Sequence, residues 1–298
     1  MTAPAASITA TEQELRSQPE TWDRAVRLLP EVAAHLPRPG ERVLVVGCGT
    51  SWFIAASYAA LREASGQGTT DAATATEISP VREYDRVLAI SRSGTTSEII
   101  AVLAALDVPS TLVTAVAAGP AAQHTDAEIV LDFADETSVV QTRFATTTLA
   151  LLRASLGEDL APAIADARTL LAEEPAPELV AAEQVTFLGT GWTKGLADEA
   201  ALKMRESSQS WTESYFAMEY RHGPIAIAQP GRVTVQLGLA PEGLAAQTER
   251  AGSTFVTSDR DPLAQLVAIH LWAVRRAEAK GLDPDRPRHL TRAVHLDS

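Results

Sequence analysis

Hydroxyl side chains are concentrated in residues 91–98, which read Ser-Arg-Ser-Gly-Thr-Thr-Ser-Glu and follow the apolar run 86–90. The run predicts a buried strand and the spacing after it predicts a helix, so the segment lies where a helix begins. Unpaired backbone N–H groups and the positive end of the helix dipole favour a phosphate at such a position. Gly94 allows the backbone to approach the ligand closely.

A second interpretation of the same segment is purely structural. Thr95 and Glu98 have the spacing of a capping box, in which two side chains satisfy the first backbone N–H groups of a helix. That motif leaves the remaining hydroxyls without a role: Ser91, Ser93 and Thr96. The sequence therefore favours an anion site, to which these hydroxyls donate further hydrogen bonds.

The C-terminal half supplies ionisable candidates. Glu199, Lys203 and Glu206 stand at positions i, i+4 and i+7 of a predicted helix and share one face. Taken alone, such a row is typical of a solvated salt-bridge stripe. Further along, His222 is followed by Gly-Pro, which predicts that it lies at a loop corner. A carboxylate base and an imidazole together could move protons on a sugar.

The other histidines lack such a context and are expected to be structural or solvated: His35, His124, His270, His289 and His295. Residues 47–51, Gly-Cys-Gly-Thr-Ser, form a glycine turn, but Trp52 takes the place of the third glycine of a dinucleotide-binding fingerprint. No Gly-Lys-Ser/Thr follows either, so we expect neither NAD nor ATP. The one cysteine, Cys48, excludes an intramolecular disulfide and a cysteine-ligated zinc site, and we predict no cofactor and no metal.

Short apolar runs alternate with helical patterns, which predicts an α/β protein with parallel sheets. The run 185–191 repeats the order strand, Gly-x-Gly and helix of residues 43–49, so we interpret the chain as a pseudo-repeat of two three-layer α/β/α sandwiches, flavodoxin-like. The tail 281–288 is expected to be extended and stiffened by proline. Three units are predicted: an N-terminal helical arm (1–36), a first domain (37–165) and a second domain (178–298).

Elements are predicted as follows. One helix covers 13–36 and another 142–156, and further helices follow each Gly-x-Gly turn. Strands are predicted at 42–47, 86–90, 111–115, 128–131, 232–238 and 253–257, besides the run at 185–191. No counterpart of the serine-rich loop follows the strand at 233–238, which predicts one phosphate site per chain.

The composition excludes several function classes. The chain has 298 residues, a formal net charge of −13 and 46% hydrophobic residues, enough for a packed core. Nucleic-acid affinity comes from neutralised phosphates, so this charge argues against nucleic acid as a partner. No stretch approaches roughly 18 uncharged apolar residues, so no membrane span is predicted. The N-terminus lacks the basic start and apolar run of a signal peptide, which favours a cytoplasmic protein.

Taken together, the motifs closely resemble sugar isomerase (SIS) domains and, more narrowly, the isomerase half of glutamine–fructose-6-phosphate aminotransferases. The resemblance runs from about Gln13 to the C-terminus. The segments that carry it are 47–51, 90–96, 199–206 and 221–226. It implies two SIS domains, a phosphorylated sugar or amino sugar as ligand, and a homodimer.

Site roles follow from the resemblance by position. It implies that the sugar phosphate is held by Ser91, the backbone of Arg92, Ser93 and Thr96. It implies that the sugar site is lined by Cys48, Gly49, Thr50 and Ser51. Glu206 would move a proton between C1 and C2 through an enediol or enolamine, and Lys203 would support this carboxylate. His222 would cross the dimer interface and assist ring opening.

Three departures from the family pattern bear on the reaction. The glutaminase domain, with its N-terminal cysteine, has no counterpart, so we expect no glutamine hydrolysis by this chain. His289-Leu-Thr-Arg292 stands where the family has Asn-Leu-Ala-Lys, and an arginine stays protonated and cannot form an imine. Gln141 matches a serine that contacts the sugar and Arg143 a lysine, which indicates a substrate other than fructose 6-phosphate.

Three functions stay open on these grounds. The leading hypothesis is an isomerase or deaminase of a phosphorylated sugar, in particular an amino sugar, with Arg292 in the position of the family lysine. The same arginine motivates the second, a regulatory module that binds a phosphosugar without transforming it. The third is a glutamine-independent aminotransferase subunit that takes ammonia from a separate protein.

Overall fold

The computed structural model describes residues 8–79 and 81–294. Within this part of the chain the helices are α1 (Ala10–Arg16), α2 (Gln18–Val32), α3 (Thr50–Ala64), α4 (Ser97–Ala105), α5 (Arg143–Ser155), α6 (Ala161–Leu171), α7 (Pro177–Val180), α8 (Thr193–Ser208), α9 (Leu244–Arg250) and α10 (Pro262–Ala279). The strands are β1 (Val43–Gly47), β2 (Thr70–Thr74), β3 (Arg86–Ile90), β4 (Ser110–Thr114), β5 (Ala127–Val130), β6 (Gln184–Gly189), β7 (Thr212–Phe216), β8 (Arg232–Gln236) and β9 (Thr254–Val256). His295 and the outermost residues of the predicted arm and second domain lie outside the described residues.

All strands pair in parallel and form two sheets. The first sheet has the order β2-β1-β3-β4-β5, and the second has β7-β6-β8-β9, which repeats the arrangement of the first four strands. The order of the first sheet is that of flavodoxin-like folds. The prediction of a parallel α/β protein is confirmed.

The apolar runs form strands because they bury side chains on both faces of a sheet. In β1, Val43 and Val45 pack into a core with α2, α3 and α5, whereas Leu44 and Val46 face α4. A strand covered on both faces needs a continuous apolar sequence rather than an alternating one. The second sheet is also covered on both faces, and the larger core contains residues of both sheets, so the two halves share one hydrophobic interior.

A close helix crossing joins the halves. Helix α3 packs against α8, and a Cβ added at Gly195 of α8 would lie 2.3 Å from Ser57 Oγ and 2.4 Å from the carbonyl oxygen of Phe53. Since Cβ atoms do not come this close to other heavy atoms, the two helices can cross here only because position 195 is a glycine.

The sequence misjudged three features of the fold. The N-terminal helix is divided into α1 and α2, and the edge strands β2 and β7 carry no apolar run that would predict them. The predicted extended tail is wrong: the chain turns after α10, and Asp285 accepts hydrogen bonds from the backbone nitrogens of Ala10 and Thr11, each at 2.8 Å. The tail is therefore docked onto the first turn of α1. None of the described helices is long and apolar enough to cross a membrane.

Candidate active site

A cavity of about 210 Å³ lies at the carboxyl ends of β1 and β3. This is the switch point of the first sheet, where the strand order reverses and open α/β folds bind their ligands. The predicted residues that line it are Cys48, Gly49, Thr50, Ser51, Ser91, Arg92, Ser93, Thr96, Gln141, Lys203, Glu206 and Arg292. Residues to which the sequence assigned no role in the site also line it: Ile90, Glu98, Ile99, Val139, Leu290, Thr291, Ala293 and Val294.

The hydroxyl-rich loop, residues 91–97, does not form the capping box that Thr95 and Glu98 could make. Thr96, not Thr95, is the N-cap of α4, and its side chain makes no cap hydrogen bond. Thr95 instead donates to Ser93 Oγ at 2.9 Å, and Glu98 Oε2 is buried without a hydrogen-bond partner. Gly94 has φ +63°, a conformation that glycine adopts at little cost. The loop thus turns its hydroxyls toward the cavity at the positive end of α4.

The side chain of Arg92 connects three segments of the chain through its guanidinium group. Its guanidinium donates to the carbonyl oxygens of Ser138 at 3.2 Å and Arg292 at 3.0 Å, and it lies 3.5 Å from the carboxylate of Glu136. Arg92 is 6% exposed, so these contacts are shielded from water. The side chain therefore positions the loop and the C-terminal tail, which leaves the backbone as the part of Arg92 that could meet a phosphate.

The glycine turn after β1 forms the wall beside this loop. A Cβ at Gly47 would lie 2.4 Å from the backbone of Ser51, so only glycine fits at this position. Gly49 has φ +54°, and the helix that begins at Thr50 turns its first residues into the cavity. Burial raises the pKa of the Cys48 thiol, which therefore stays protonated at neutral pH.

The charged row on α8 is buried rather than solvated. The side chains of Glu199 and Lys203 are 0% and 1% exposed, and that of Glu206, at the cavity, is 18% exposed. Lys203 Nζ donates to Glu206 Oε2 and lies 3.6 Å from Glu199 Oε1. Burial alone would lower the pKa of Lys203, but the two carboxylates outweigh it and raise that pKa. The ammonium is thus held charged beside Glu206.

Glu199 occupies the inner end of this row. Burial raises its pKa to about 8, against the opposing charge of Lys203. Neither carboxylate oxygen has a hydrogen-bond partner, and Oε1 lies 3.8 Å from His270 Nε2. His270 is buried as well, and burial together with the charge of Lys203 lowers its pKa to about 3. This second contact could not be predicted from the sequence, because His270 belongs to α10, far along the chain from Glu199.

The C-terminal tail closes one side of the cavity through residues 290–294. The guanidinium of Arg292 pairs with Asp135, and its carbonyl oxygen accepts from Arg92. Arg143 does not line the cavity: it donates to the carbonyl oxygen of Asp135 and, at 3.0 Å, to Ser17 Oγ. Arg143 therefore carries no information about the substrate.

His222 is the one predicted catalytic residue that the described chain does not bring to the cavity. It ends the short 3₁₀ helix Glu219–His222, and its side chain is exposed. Gly223, with φ +137°, and Pro224 follow it, so the chain does turn at this point. Among the described residues no group of three or more His, Cys, Asp or Glu side chains is arranged to hold a metal ion.

Residues 38–156 match the family of SIS domains. They comprise the first sheet, the hydroxyl-rich loop and the glycine turn. The chain contains a SIS domain. The charged row of α8 lies beyond the matched residues, but Lys203 and Glu206 line the same cavity.

Curated relatives extend the likeness to most of the chain. It is 25% identical to a glutamine–fructose-6-phosphate aminotransferase (isomerizing) of Caulobacter vibrioides, over 96% of this chain and 58% of that protein. It is 26% identical to the enzyme of the same name from Sulfurisphaera tokodaii, over 86% of this chain and 50% of that protein. The chain thus spans little more than half the length of these relatives, and the part they share is the isomerase half.

Solved structures share the fold over nearly the whole chain. Glucosamine-6-phosphate deaminase of Thermotoga maritima has a TM-score of 0.80 at 22% identity, covering 97% of this chain and 100% of that one. Tagatose-6-phosphate ketose/aldose isomerase of Escherichia coli has a TM-score of 0.79 at 18% identity, covering 96% of this chain and 97% of that one. At these identities the likeness establishes the fold.

Proposed function

We propose that this SIS protein is an isomerase or deaminase of a phosphorylated sugar, in particular an amino-sugar 6-phosphate. One observation carries the proposal: the hydroxyl-rich loop at the start of α4 and the Lys203–Glu206 pair line one cavity. An anion grip and a buried carboxylate with its ammonium partner are what a C1–C2 proton transfer on a phosphosugar requires. The names of the curated relatives and of the solved structures agree with this class.

The loop would bind the phosphate through Ser91, Ser93, Thr96 and the backbone of Arg92. The open-chain sugar would then extend toward α8, where Glu206 removes the proton from C2 and returns it to C1. The intermediate between the two proton transfers has a C1–C2 double bond and is an enediol, or an enolamine when C2 carries nitrogen. For an amino sugar, water then adds to the resulting C2 imine and ammonia leaves. Lys203 keeps Glu206 ionised and can stabilise the oxyanion that develops on the sugar.

His222 enters the proposal through a second copy of the chain. Its exposed position on a short helix, outside the cavity of its own chain, is consistent with a homodimer in which it reaches the partner's site and assists ring opening. We further propose that the shared strand order of the two sheets reflects an internal repeat, divided as 37–165 and 178–298 after an N-terminal arm. Only the first repeat carries a phosphate loop.

The decisive experiment assays purified protein against hexose and hexosamine 6-phosphates and follows ketose, aldose and ammonia. We expect turnover with at least one of them, and solvent deuterium at C1 or C2 of the product. Glu206→Gln should abolish both signals, whereas Glu249→Gln, a matched change at an exposed position, should leave them unchanged. Turnover that Glu206→Gln does not reduce would contradict the mechanism.

The observation that favours a binding-only function is the ion pair between Arg292 and Asp135. An arginine cannot form the imine expected of a lysine at this position. If the protein is a phosphosugar sensor, calorimetry should show binding that survives Glu206→Gln and is lost in the double variant Ser93→Ala, Thr96→Ala, with no turnover of any bound sugar.

A further inference from the structure

A chain of buried polar side chains continues inward from the row on α8. Beyond Glu199 it passes to His270, whose Nδ1 lies 3.4 Å from Nε2 of Gln18 on α2. Oε1 of Gln18 in turn lies 2.6 Å from Thr146 Oγ1, which contacts the indole nitrogen of Trp22 at 3.0 Å. All of these side chains are almost completely buried. Water therefore does not reach their polar atoms, and His270 Nε2 is buried without a hydrogen-bond partner.

The direction of each hydrogen bond follows from Trp22, which stands at the end of this chain farthest from Glu199. The indole N–H of Trp22 can only donate, so Thr146 Oγ1 accepts from it. The single hydroxyl proton of Thr146 is then free for the short contact with Gln18, and the amide oxygen of Gln18 accepts it. This places the amide NH₂ of Gln18 on the other side, where it donates to the carbonyl oxygen of Leu15 at 2.9 Å.

The second amide hydrogen of Gln18 faces His270. Because Nε2 of Gln18 is a donor, Nδ1 of His270 must accept, and an imidazole whose Nδ1 accepts carries its proton on Nε2 when neutral. Nε2 is the ring nitrogen that lies 3.8 Å from Glu199 Oε1. Contacts among α2, α5 and α10, which are distant in the sequence, thus determine which nitrogen of His270 carries the proton. That nitrogen, Nε2, is the one that faces Glu199.

We propose that Gln18 fixes His270 in the neutral Nε2–H tautomer, and that His270 so held is a positioning residue for the Glu199–Lys203–Glu206 row. The tautomer assignment stands on the hydrogen-bond geometry alone, whereas the positioning role rests on the proposed function. The Nε2–H dipole turns its positive end toward Glu199 and keeps this carboxyl group facing Lys203. The opposite tautomer would present a nitrogen lone pair, which Glu199 could face only with its own carboxyl proton.

The tautomer is measured by ¹⁵N NMR of the histidine side chains in the full chain without substrate. His270 should show a protonated Nε2 and an unprotonated Nδ1 from pH 5 to pH 8, with its signals assigned by their loss in His270→Gln or by their shift in Gln18→Glu. Gln18→Glu replaces the amide donor by a carboxyl oxygen and should protonate Nδ1. Thr147→Val, a buried change next to Thr146 but outside the chain of hydrogen bonds to His270, should leave the pattern intact. A protonated Nδ1 or titration near pH 6.5 in the unchanged protein would overturn the assignment.

The positioning role has its own readouts. In Gln18→Glu the ¹³C carboxyl signal of Glu199 should titrate with a pKa that differs by about one unit or more from that of the unchanged protein. With a phosphosugar that is turned over, kcat should fall roughly tenfold to a hundredfold while KM stays within about twofold. An altered His270 pattern with an unaltered Glu199 titration would refute the positioning role, whether or not any sugar is a substrate.

Discussion

Gly195 of α8 and Ser57 of α3 are in such close contact that a Cβ at position 195 would lie 2.3 Å from Ser57 Oγ. Helix α3 begins at Thr50, in the cavity wall of the first half, and α8 carries Lys203 and Glu206 from the second half. The distance between the cavity wall at Thr50 and the carboxylate of Glu206 therefore depends on how closely these two helices cross.

Gly195→Ala tests this dependence. Alanine would favour the helix by about 1 kcal/mol over glycine, but overpacking of a filled interior costs about 1–3 kcal/mol, so we expect a net loss in the free energy of unfolding. Any turnover should fall because Glu206 moves away from the loop. Chemical denaturation and kinetics check both effects. The double variant Gly195→Ala, Ser57→Gly should not regain stability or turnover, since the carbonyl oxygen of Phe53 would still lie 2.4 Å from the new Cβ. Full recovery would show that only the serine side chain opposes the alanine.

The proposed binding of phosphate by the hydroxyl-rich loop predicts which variants weaken the binding of a sugar phosphate. Ser93→Ala and Thr96→Ala each remove a hydroxyl from the cavity wall, and a hydrogen bond to a charged group contributes about 1.5–3 kcal/mol. Each variant should therefore weaken the binding of a sugar phosphate roughly tenfold or more, with little effect on the unphosphorylated sugar. Calorimetry with both ligands measures the difference. Thr169→Ala, an exposed change on α6, is the control, and equal weakening of both sugars would place the phosphate elsewhere.

Glu199 makes the stability of the protein depend on pH. Its pKa is raised from 4.5 to about 8, so between these values the folded chain retains a proton that the unfolded chain has released. Stability then falls as the pH rises through this range. His270 acts in the opposite sense below pH 6.5, because its pKa is lowered from 6.5 to about 3 and the unfolded chain binds the extra proton.

Above about pH 6.5, Glu199 still makes the free energy of unfolding depend on pH, whereas His270 no longer does. Glu199→Gln should therefore reduce the decline in the free energy of unfolding between pH 6.5 and pH 8, measured by urea denaturation at several pH values. Glu249→Gln should retain the slope of the unchanged protein, since its carboxylate is exposed. An identical slope in the Glu199 variant would mean that this carboxyl group is already ionised in the folded chain.

The sequence predicted those parts of the fold that rest on local patterns. Apolar runs predicted β1, β3 and, with Thr186 inside the run, β6, and the structure confirms all three as strands with both faces buried. The edge strands β2 and β7 were missed, since Thr-Asp-Ala-Ala-Thr and Thr-Glu-Ser-Tyr-Phe are only partly buried and need few apolar residues.

Features that depend on contacts between distant segments could not be predicted. The spacing of Glu199 and Lys203 is the same for a solvated stripe and for a buried row, and only the packing of α8 against α3 and α10 decides between them. His270 looked uninformative for the same reason. The loop at 91–96 was predictable because strand, loop and helix are adjacent in the chain and the chemistry of a helix N-terminus is local.

Arg292→Lys tests whether the tail can supply imine chemistry. Residues 290–294 line the cavity together with the hydroxyl-rich loop, and a lysine at position 292, unlike arginine, can lose its proton and attack a carbonyl carbon. We expect the variant, incubated with a ketose phosphate and borohydride, to gain the mass of one reduced sugar adduct, while the unchanged protein gains none. Arg288→Lys, at an exposed position of the same tail, should remain unmodified. If Arg292→Lys binds a sugar phosphate but forms no adduct with it, the substrate's carbonyl carbon lies out of reach of position 292.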